Sequence, residues 1–281
     1  MTDTASADNP LDLRFSKAEL ERQRDHITSF ITDTYNASGA ASAVICLSGG
    51  IDSTLTSHLA VEALGQEAVY GLVLPSTVNI DENMSDAERV ASELLDIEYD
   101  IVEINPLVEA FLAANPNVDP DEMGDDAVQV AVGNLRARIR AILAFFEANR
   151  RGGLVLGTGN RSEAAVGYYT KYGDGAVDCH PIGNLYKQQV RQLAEHLGVP
   201  ERMATKTATA GLWDDQTDES ELGVGYDTLD SILALHIDGP VSAQATADEI
   251  GVEESAIEHV RDLHEKSYHK RAMPPSPEPL R

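Results

Sequence analysis

The residues best suited to chemistry form the run Ser48-Gly49-Gly50-Ile51-Asp52-Ser53, directly after the apolar residues 43–47. Backbone N–H groups of a glycine-rich turn, with a helix N-terminus behind them, bind anions such as phosphate. The two glycines permit positive φ and a close approach of a ligand to the backbone. A carboxylate in such a loop needs a cation between itself and phosphate, so Asp52 is a candidate Mg²⁺ ligand. The alternative is an ordinary turn in which Asp52 or Ser53 caps the helix.

A second polar region follows the apolar residues 154–156. It contains the run Gly157-Thr158-Gly159-Asn160-Arg161-Ser162-Glu163 and, after it, Gly167-Tyr168-Tyr169-Thr170-Lys171-Tyr172-Gly173-Asp174-Gly175. Taken alone, Glu163 suits the first turn of a helix, where a carboxylate faces the positive end of the helix dipole. One solvated stripe on a helix would account equally well for Arg136, Arg138 and Arg140.

The elements that must position these runs alternate between strands and helices. Short apolar runs predict strands at 43–47, 68–74, 99–104 and 154–156, and helical periodicity predicts helices at 16–35, 53–64, 82–96 and 126–150. Ser16, with Glu19 three residues on, forms a capping-box pattern at the start of the first helix. Strands alternating with helices at this spacing predict βαβ units and a parallel sheet. Because ligands bind outside the carboxyl ends of parallel strands, we expect the two polar regions to meet there.

The rest of the chain divides into a helical part and two terminal segments. Residues 205–224, rich in Thr, Asp, Gly and Glu, predict a loop, and helices are predicted at 225–236, 242–250 and 253–267. Tyr226 is interpreted as a packing residue rather than a stacking platform. Residues 1–12 are predicted to be a disordered leader, residues 13–272 the main domain, and residues 273–281 a mobile proline-rich tail.

The composition restricts the classes of function. The formal net charge is −26, and a surface this acidic repels phosphates, which argues against passive nucleic-acid binding. No apolar run reaches the ~18–20 residues that span a bilayer. Residues 1–9 lack the basic and apolar regions of a signal peptide, so we expect a cytoplasmic protein. Cys46 and Cys179 are far apart, which argues against a zinc site or a disulfide framework.

Both polar regions resemble motifs of one enzyme family. The pattern S-G-G-x-D-S at residues 48–53 resembles the pyrophosphatase loop of the N-type ATP pyrophosphatases, which cleave ATP between its α- and β-phosphates. Residues 156–175 resemble the signature G-T-x-x-x-x-E…G-x-x-T-K-Y-G-D-G of the NAD synthetases within that superfamily. The resemblance covers about residues 20–275, although Asn160-Arg161-Ser162 stands where many bacterial members have Asp-His-Ala.

This resemblance implies an α/β fold of the adenine-nucleotide α-hydrolase-like (Rossmann-like) type, with a parallel sheet and helices on both faces. It implies amidation of deamido-NAD by ammonia through an adenylate, giving NAD, AMP and pyrophosphate, with ATP as co-substrate and Mg²⁺ as cofactor. It also suggests a homodimer with deamido-NAD bound across the interface. Because 281 residues leave no spare length for a glutaminase domain, we expect the nitrogen to come from free ammonia or from a separate glutaminase.

The resemblance also implies roles for individual positions. ATP is expected to contact Cys46, Leu47, Ser48, Gly49, Gly50, Ile51, Asp52, Ser53, Thr158, Lys187 and Thr209. Mg²⁺ is expected at Asp52 and Glu163, both of which carry hard oxygen ligands. Deamido-NAD is expected to contact Arg138, Lys171, Asp178, His269 and Lys270. Asp174 is expected to join Asp52 as a catalytic residue by positioning ammonia, and Cys46 replaces a glycine common in the family with an effect on packing only.

Two alternatives compete with this interpretation. One is a different amidotransferase or a thiolation enzyme of the same superfamily; thiolation would need paired cysteines near the site, and Cys46 and Cys179 form no such pattern. A regulatory protein could bind a nucleotide on the same sheet without catalysis. The presence of both Asp52 and Glu163 argues against a regulatory protein, because binding alone does not need two metal-ligating carboxylates.

The acidic composition, with lysine at only six positions, is typical of a halophilic archaeon. In that case molar KCl should stabilise the fold, because salt screens the self-repulsion of the excess carboxylates. We expect the thermal unfolding midpoint, measured by circular dichroism, to be higher in molar KCl than in dilute buffer. Equal midpoints in the two solutions would contradict the halophilic interpretation.

Overall fold

Parallel strands form a four-stranded sheet in the computed structural model, which describes residues 4–75, 82–115, 126–204 and 217–279. The strands are β1 Ala43–Leu47, β2 Val69–Val73, β3 Glu98–Ile101 and β4 Leu154–Val155. They lie in the order β3-β2-β1-β4. Val44 of β1 is in register with Tyr70 of β2 on one side and with Val155 of β4 on the other. The predicted strands are therefore confirmed, although β3 and β4 end earlier than their apolar runs.

Helices alternate with the strands and then make up the regular secondary structure of the C-terminal part, as far as residues 156–204 and 217–279 describe it. In chain order they are α1 Lys17–Ser38, α2 Ile51–Leu64, α3 Glu82–Arg89, α4 Asn105–Ala114, α5 Asp126–Arg151, α6 Arg161–Val166, α7 Lys187–His196, α8 Glu201–Ala204, α9 Asp218–Leu222, α10 Tyr226–Ile232, α11 Ala243–Ile250, α12 Glu254–Lys266 and α13 Tyr268–Arg271. A 3-10 turn precedes β2, and π-helical turns extend α3 and α10. The helices predicted at 16–35, 53–64, 82–96, 126–150, 225–236, 242–250 and 253–267 are confirmed. The expected capping box between Ser16 and Glu19 begins α1.

Both faces of the sheet are covered by helices. Ala43, Ile45 and Leu47 of β1 share one hydrophobic core with residues of α1, α2, α3 and α7. Val44 lies in another core, on the opposite face, with residues of α4 and α5. Successive side chains of a strand point to opposite faces, so a short strand that is apolar at every position must be buried on both. The prediction of a parallel sheet with helices on both faces is therefore confirmed.

The strand order places the two polar regions side by side. The chain leaves β1 towards β2 on one side, whereas β4 lies on the other side of β1, so the order reverses between β1 and β4. In open parallel sheets this switch point is where ligands bind, at the carboxyl ends of the strands. Beyond β4, the backbone N–H of Gly157 donates to the carbonyl of Cys179 at 2.8 Å, which continues the sheet by a single parallel bridge.

The structure of the N-terminal segment differs from the prediction made for it. Residues 1–12 were expected to be a disordered leader, yet residues 4–12 run along the C-terminal helices. The N–H of Ala5 donates to the carbonyl of Gly223 at 3.0 Å, and the N–H of Ala7 donates to the hydroxyl of Thr228 at 2.9 Å. Ala5, Ala7 and Leu11 pack on the core formed by α6 and α9–α12. Composition could not reveal this because the backbone, rather than the side chains, makes most of the contacts.

The loop predicted at 205–224 is corrected in part, because residues 218–222 form α9. Thr217 caps this helix by accepting the N–H of Ser220, and acidic residues in its first turn favour the positive end of the helix dipole. Five residues are too few for a periodicity signal, which explains the error. Residues 205–216 lie outside the described residues. Within the described part of the chain, no helix is both long and apolar enough to cross a membrane.

Candidate active site

The loop between β1 and α2 is held in shape by its own hydroxyl groups. The hydroxyl of Ser53 accepts the backbone N–H of Ser48 at 3.3 Å and lies 3.0 Å from the carbonyl oxygen of Gly50. Gly49 has φ of +74°, in the left-handed region that favours glycine. Helix α2 starts at Ile51, directly behind the loop, and the first turn of any helix leaves N–H groups without intrahelical acceptors. These features suit the binding of phosphate.

Asn160 connects this loop to the loop that follows β4. Its side-chain nitrogen donates to Oδ1 of Asp52 at 2.8 Å, and its side-chain oxygen accepts the backbone N–H of Glu163 at 3.0 Å. The bond to Glu163 caps α6, and it fixes which atom of the amide faces Asp52. Asn160 is fully buried, so both polar atoms of its side chain need such partners. Asn160 thus holds the two candidate Mg²⁺ ligands in one arrangement.

The ammonium group of Lys187 lies between the same two carboxylates. Its Nζ is 2.6 Å from Oδ2 of Asp52 and 3.2 Å from Oε1 of Glu163. Lys187 is the first residue of α7, and its side chain is only 4% exposed. The ammonium also lies 5.0 Å from the centre of the Tyr226 ring, close enough for a cation–π interaction. A buried cation therefore neutralises carboxylates that come from two other helices.

Burial and neighbouring charges set the protonation of this cluster. Burial raises the pKa of Glu163 to about 7, an effect that Lys187 opposes and that Asp52 and Asp218 increase. Burial opposes the charge of Lys187, but the Asp52 and Glu163 carboxylates outweigh it and keep the pKa of Lys187 above its ordinary value. The shift of Lys187 favours its charged form, which is the form that can pair with the two carboxylates.

A second group of polar side chains surrounds this centre from α9 and α10. The hydroxyl of Tyr226 donates to Oδ2 of Asp218 at 2.8 Å. The hydroxyl of Tyr168 lies 3.0 Å from Oδ1 of Asp218 and 2.6 Å from Oε2 of Glu221. Burial raises the pKa of Asp218, although both tyrosines and Lys187 act in the opposite direction. The expectation that Tyr226 packs is consistent with its burial, and its hydroxyl and ring also contact the cluster.

A cavity of about 940 Å³ opens above the carboxyl ends of β1 and β4. Most of the predicted ATP and Mg²⁺ residues line it: Cys46, Leu47, Ser48, Gly50, Ile51, Asp52, Ser53, Thr158, Glu163 and Lys187. Asp174 and Lys270 also line it. The cavity brings together residues from 46 to 271 in the chain, so the sheet edge and the C-terminal helices share one site.

Three of the residues predicted to bind deamido-NAD form a linked set beside the cavity. Nη2 of Arg138 donates to the carbonyl of Lys171 at 3.3 Å, and Nζ of Lys171 donates to the carbonyl of His269. Lys270 follows directly, and its Nζ donates to the carbonyls of Gly167 and Tyr169 at 2.6 and 2.7 Å. The cationic side chains of α5, the 167–175 segment and α13 thus lie on one side of the site.

The remaining predicted residues have other positions. Oδ2 of Asp178 accepts the backbone N–H of Val155 at 2.7 Å, so this carboxylate holds the edge of β4 rather than lining the cavity. Oδ1 of Asp174 accepts the backbone N–H of Thr170 at 2.8 Å and maintains the turn at 170–175. Gly49 is not among the lining residues. Thr209 lies outside the described residues.

Sequence reasoning missed Asn160, Asp218 and the serine–aspartate pair Ser162 and Asp230. Asn160 was singled out as a variant position without a role, and Asp218 lies in a conspicuous acidic run. For Asn160 and for Asp218, the only indication in the sequence was that the residue lies inside a motif. The pairing of Ser162 with Asp230 spans 68 residues, and no local pattern encodes a contact at that separation.

The carboxylates fit a Mg²⁺ ion. Asp52 and Glu163 converge on one point, where the Lys187 ammonium shows that a cation is favourable. Mg²⁺ at nucleotide sites usually takes one or two carboxylates and completes its shell with substrate phosphates and water. Among the described residues, no three His, Cys, Asp or Glu side chains form a more complete metal cage.

Fold and site together define a Rossmann-like protein of the adenine-nucleotide α-hydrolase class, with a glycine-rich anion loop at the switch point of the sheet. A family model described as NAD synthase matches residues 24–274. The chain therefore belongs to the NAD synthase family, as its motifs indicated.

Individual relatives agree over nearly the whole chain. The chain is 60% identical over 269 residues to the NH(3)-dependent NAD(+) synthetase of Halobacterium salinarum, covering 96% of this chain and 97% of that protein. The NMN synthetase of Francisella tularensis superimposes with a TM-score of 0.79 and 35% identity, covering 94% of this chain and 99% of that one. The NH3-dependent NAD synthetase of Campylobacter jejuni superimposes with a TM-score of 0.73 and 30% identity, covering 92% and 99%.

Proposed function

We propose that this protein converts deamido-NAD, ammonia and ATP to NAD, AMP and pyrophosphate, in the cytoplasm. The observation that carries the proposal is the cluster of Asp52, Glu163 and Lys187 beside a glycine-rich loop, in one cavity at the switch point. The 60% identity to a protein called NH(3)-dependent NAD(+) synthetase supports the choice of substrates.

The loop at 48–53 and the N-terminus of α2 would bind the phosphates that leave as pyrophosphate. Lys187 and Thr158, both in the cavity wall, would contact the same nucleotide. The compact ammonium of Lys187 would move only a short distance to exchange a carboxylate for a phosphate oxygen. Thr209 belongs to the same proposal by resemblance alone.

Asp52 and Glu163 would hold Mg²⁺, which supplies charge neutralisation between phosphate oxygens when it is bound. Asn160 would keep the Asp52 carboxylate turned toward that position, because its amide is itself held by the N-terminus of α6. Burial in the cavity strengthens these electrostatic contacts relative to water.

The chemistry needs no nucleophile from the protein. The nicotinate carboxylate attacks the α-phosphorus of ATP, the bond to pyrophosphate breaks, and an acyl-adenylate forms. Ammonia then attacks the acyl carbon, AMP leaves, and a proton is lost from nitrogen. The protein contributes by holding the two substrates in line and by stabilising the charge on the departing phosphates. Asp174, in the cavity wall, would position ammonia.

The cations Arg138, Lys171 and Lys270, together with His269, would bind the dinucleotide, whose pyrophosphate is anionic. Concentrating these cations matters in a chain whose formal net charge is −26, because the surface elsewhere repels anions. Asp178 would affect dinucleotide binding indirectly. Its carboxylate accepts the backbone N–H of Val155 and so helps to fix the position of β4.

The direct test is a product assay in molar KCl with Mg-ATP, ammonium and either deamido-NAD or nicotinate mononucleotide. We expect NAD, AMP and pyrophosphate in equal amounts, with deamido-NAD preferred. Asp52→Asn should lower turnover by about 10²-fold or more, because it removes the negative charge that would hold Mg²⁺ beside the phosphates. Glu195→Gln, on the far end of α7, is the matched carboxylate control and should leave turnover unchanged.

Four results would change the proposal. Preference for nicotinate mononucleotide would place the protein with the NMN synthetase it resembles in structure. Pyrophosphate release that requires a different acid would retain the reaction class and reject the substrate. ATP binding without cleavage would favour a regulatory protein. Glutamine that replaces ammonium only when a second protein is added would indicate a separate glutaminase.

We also propose that the protein is a homodimer. Large apolar side chains stand exposed on α4 and α5, which pack against each other. Ile142 and Phe146, one turn apart on α5, are 67% and 61% exposed, and Phe111 on α4 is 54% exposed. An apolar area of this kind on a soluble protein is typical of an interface.

The double variant Ile142→Glu/Phe146→Glu should therefore run as a monomer in light scattering after gel filtration, whereas the unaltered chain runs as a dimer. A charge buried in an apolar interface without a partner opposes association. The matched control is Phe30→Glu, at an exposed phenylalanine on α1, which should leave the dimer intact. A monomeric unaltered chain, or a double variant that stays dimeric, would contradict the assignment.

A further inference from the structure

Ser162 and Asp230 form a fully buried pair beside the cluster of Lys187, Asp52 and Glu163. The Ser162 hydroxyl donates to Oδ1 of Asp230, which reaches it from α10. A buried carboxylate is costly unless both of its oxygens are hydrogen-bonded. The partner of the second oxygen therefore indicates what the pair is for.

Both members of the pair accept N–H groups from the first turn of α7. The N–H of Lys187 donates to the Ser162 hydroxyl oxygen at 2.9 Å, and the N–H of Gln188 donates to Oδ2 of Asp230 at 2.9 Å. The residue before the helix is Tyr186, whose side chain makes no capping hydrogen bond. The N–H groups of Lys187 and Gln188 are thus capped by side chains from α6 and α10, while from its own sequence α7 contributes only the Gln189 side-chain oxygen, which accepts the N–H of Tyr186 at 3.0 Å.

This cap matters because a lysine at a helix N-terminus is electrostatically unfavourable. The positive end of the helix dipole repels the Lys187 ammonium, and a nearby carboxylate offsets that repulsion. The Asp230 carboxylate lies at the backbone of the first turn, where it accepts the N–H of Gln188. The carboxylates of Asp52 and Glu163 contact the ammonium itself. Without these two acceptors, the N–H groups of Lys187 and Gln188 would lose their partners, and the turn that carries Lys187 would be held less firmly.

We propose that Ser162 and Asp230 are positioning residues that fix the first turn of α7. They thereby hold the Lys187 ammonium where it can contact Asp52, Glu163 and the phosphates of the nucleotide. The inference rests on the proposed function. It assigns Ser162 and Asp230 no contact with substrate. Their effect on the reaction passes through the backbone of α7.

The test uses Ser162→Ala and the isosteric Asp230→Asn in the full chain. We expect each substitution to lower kcat/KM for ATP by about tenfold. Each should also raise the dissociation constant for ATP, measured by calorimetry. The KM for deamido-NAD should stay within about twofold, because the proposed function assigns the dinucleotide to residues other than Lys187. A residue that only stabilises the fold would lower the unfolding midpoint without this selective loss.

The matched control is Ser231→Ala. Ser231 is also fully buried, lies next to Asp230 on α10, and accepts one backbone N–H at 2.9 Å, that of Leu11 in the N-terminal segment. Its replacement should lower the unfolding midpoint about as much as Ser162→Ala and leave the ATP parameters unchanged. If Ser162→Ala and Asp230→Asn match Ser231→Ala in the ATP parameters, the positioning role is rejected.

A double-mutant cycle identifies the route of the effect. In a Lys187→Gln background, Ser162→Ala should cause no further loss in kcat/KM for ATP, because the group it positions is already absent. A second, independent tenfold loss in that background would overturn the proposal. Calorimetric ATP binding separates this outcome from failure of the proposed function, since it is measured without deamido-NAD or ammonia.

Discussion

The Lys187 ammonium lies between two carboxylates that reach it from different helices, Asp52 from α2 and Glu163 from α6. Each of the three groups is largely removed from water, so none would be stable there as an isolated ion. The ammonium and the two carboxylates can therefore be buried together only because they contact one another. It ties the loop after β1, the loop after β4 and the start of α7 into one unit, to which Asn160, Ser162 and Asp230 add hydrogen bonds.

This constraint also explains how so acidic a chain can bind anionic nucleotides. The formal net charge of −26 creates a repulsive field over most of the surface. At the site the fold places lysine and arginine side chains in two positions, the buried Lys187 and the set formed by Arg138, Lys171 and Lys270. Carboxylates beside Lys187 look unsuited to phosphate until a metal ion is counted, and they then become ligands. In the proposed function, the nucleotide would therefore arrive together with a divalent cation that these carboxylates hold.

The sheet and the location of the site could be predicted from sequence, because apolar runs fix buried strands and loops at their carboxyl ends share one edge. Contacts across long separations could not. The pairing of Ser162 with Asp230 depends on how α6 and α10 pack, and Asp218 reaches the site through a five-residue helix too short for periodicity. The leader was misjudged because its order comes from backbone bonds to Gly223 and Thr228. The resemblance supplied the roles of Lys171 and Lys270, which no composition or spacing rule would have given.

The central claim is that the cluster around Lys187 serves transfer of the α-phosphorus of ATP to a carboxylate. Deamido-NAD carrying a heavy oxygen isotope in its nicotinate carboxylate tests this most directly, with the products separated and weighed by mass spectrometry. If the carboxylate attacks the α-phosphorus, one labelled oxygen must leave with AMP when ammonia displaces it, and pyrophosphate must stay unlabelled. Label found in pyrophosphate or in phosphate would contradict formation of an adenylate, and so would AMP without label. Either result would also contradict the role assigned to this site.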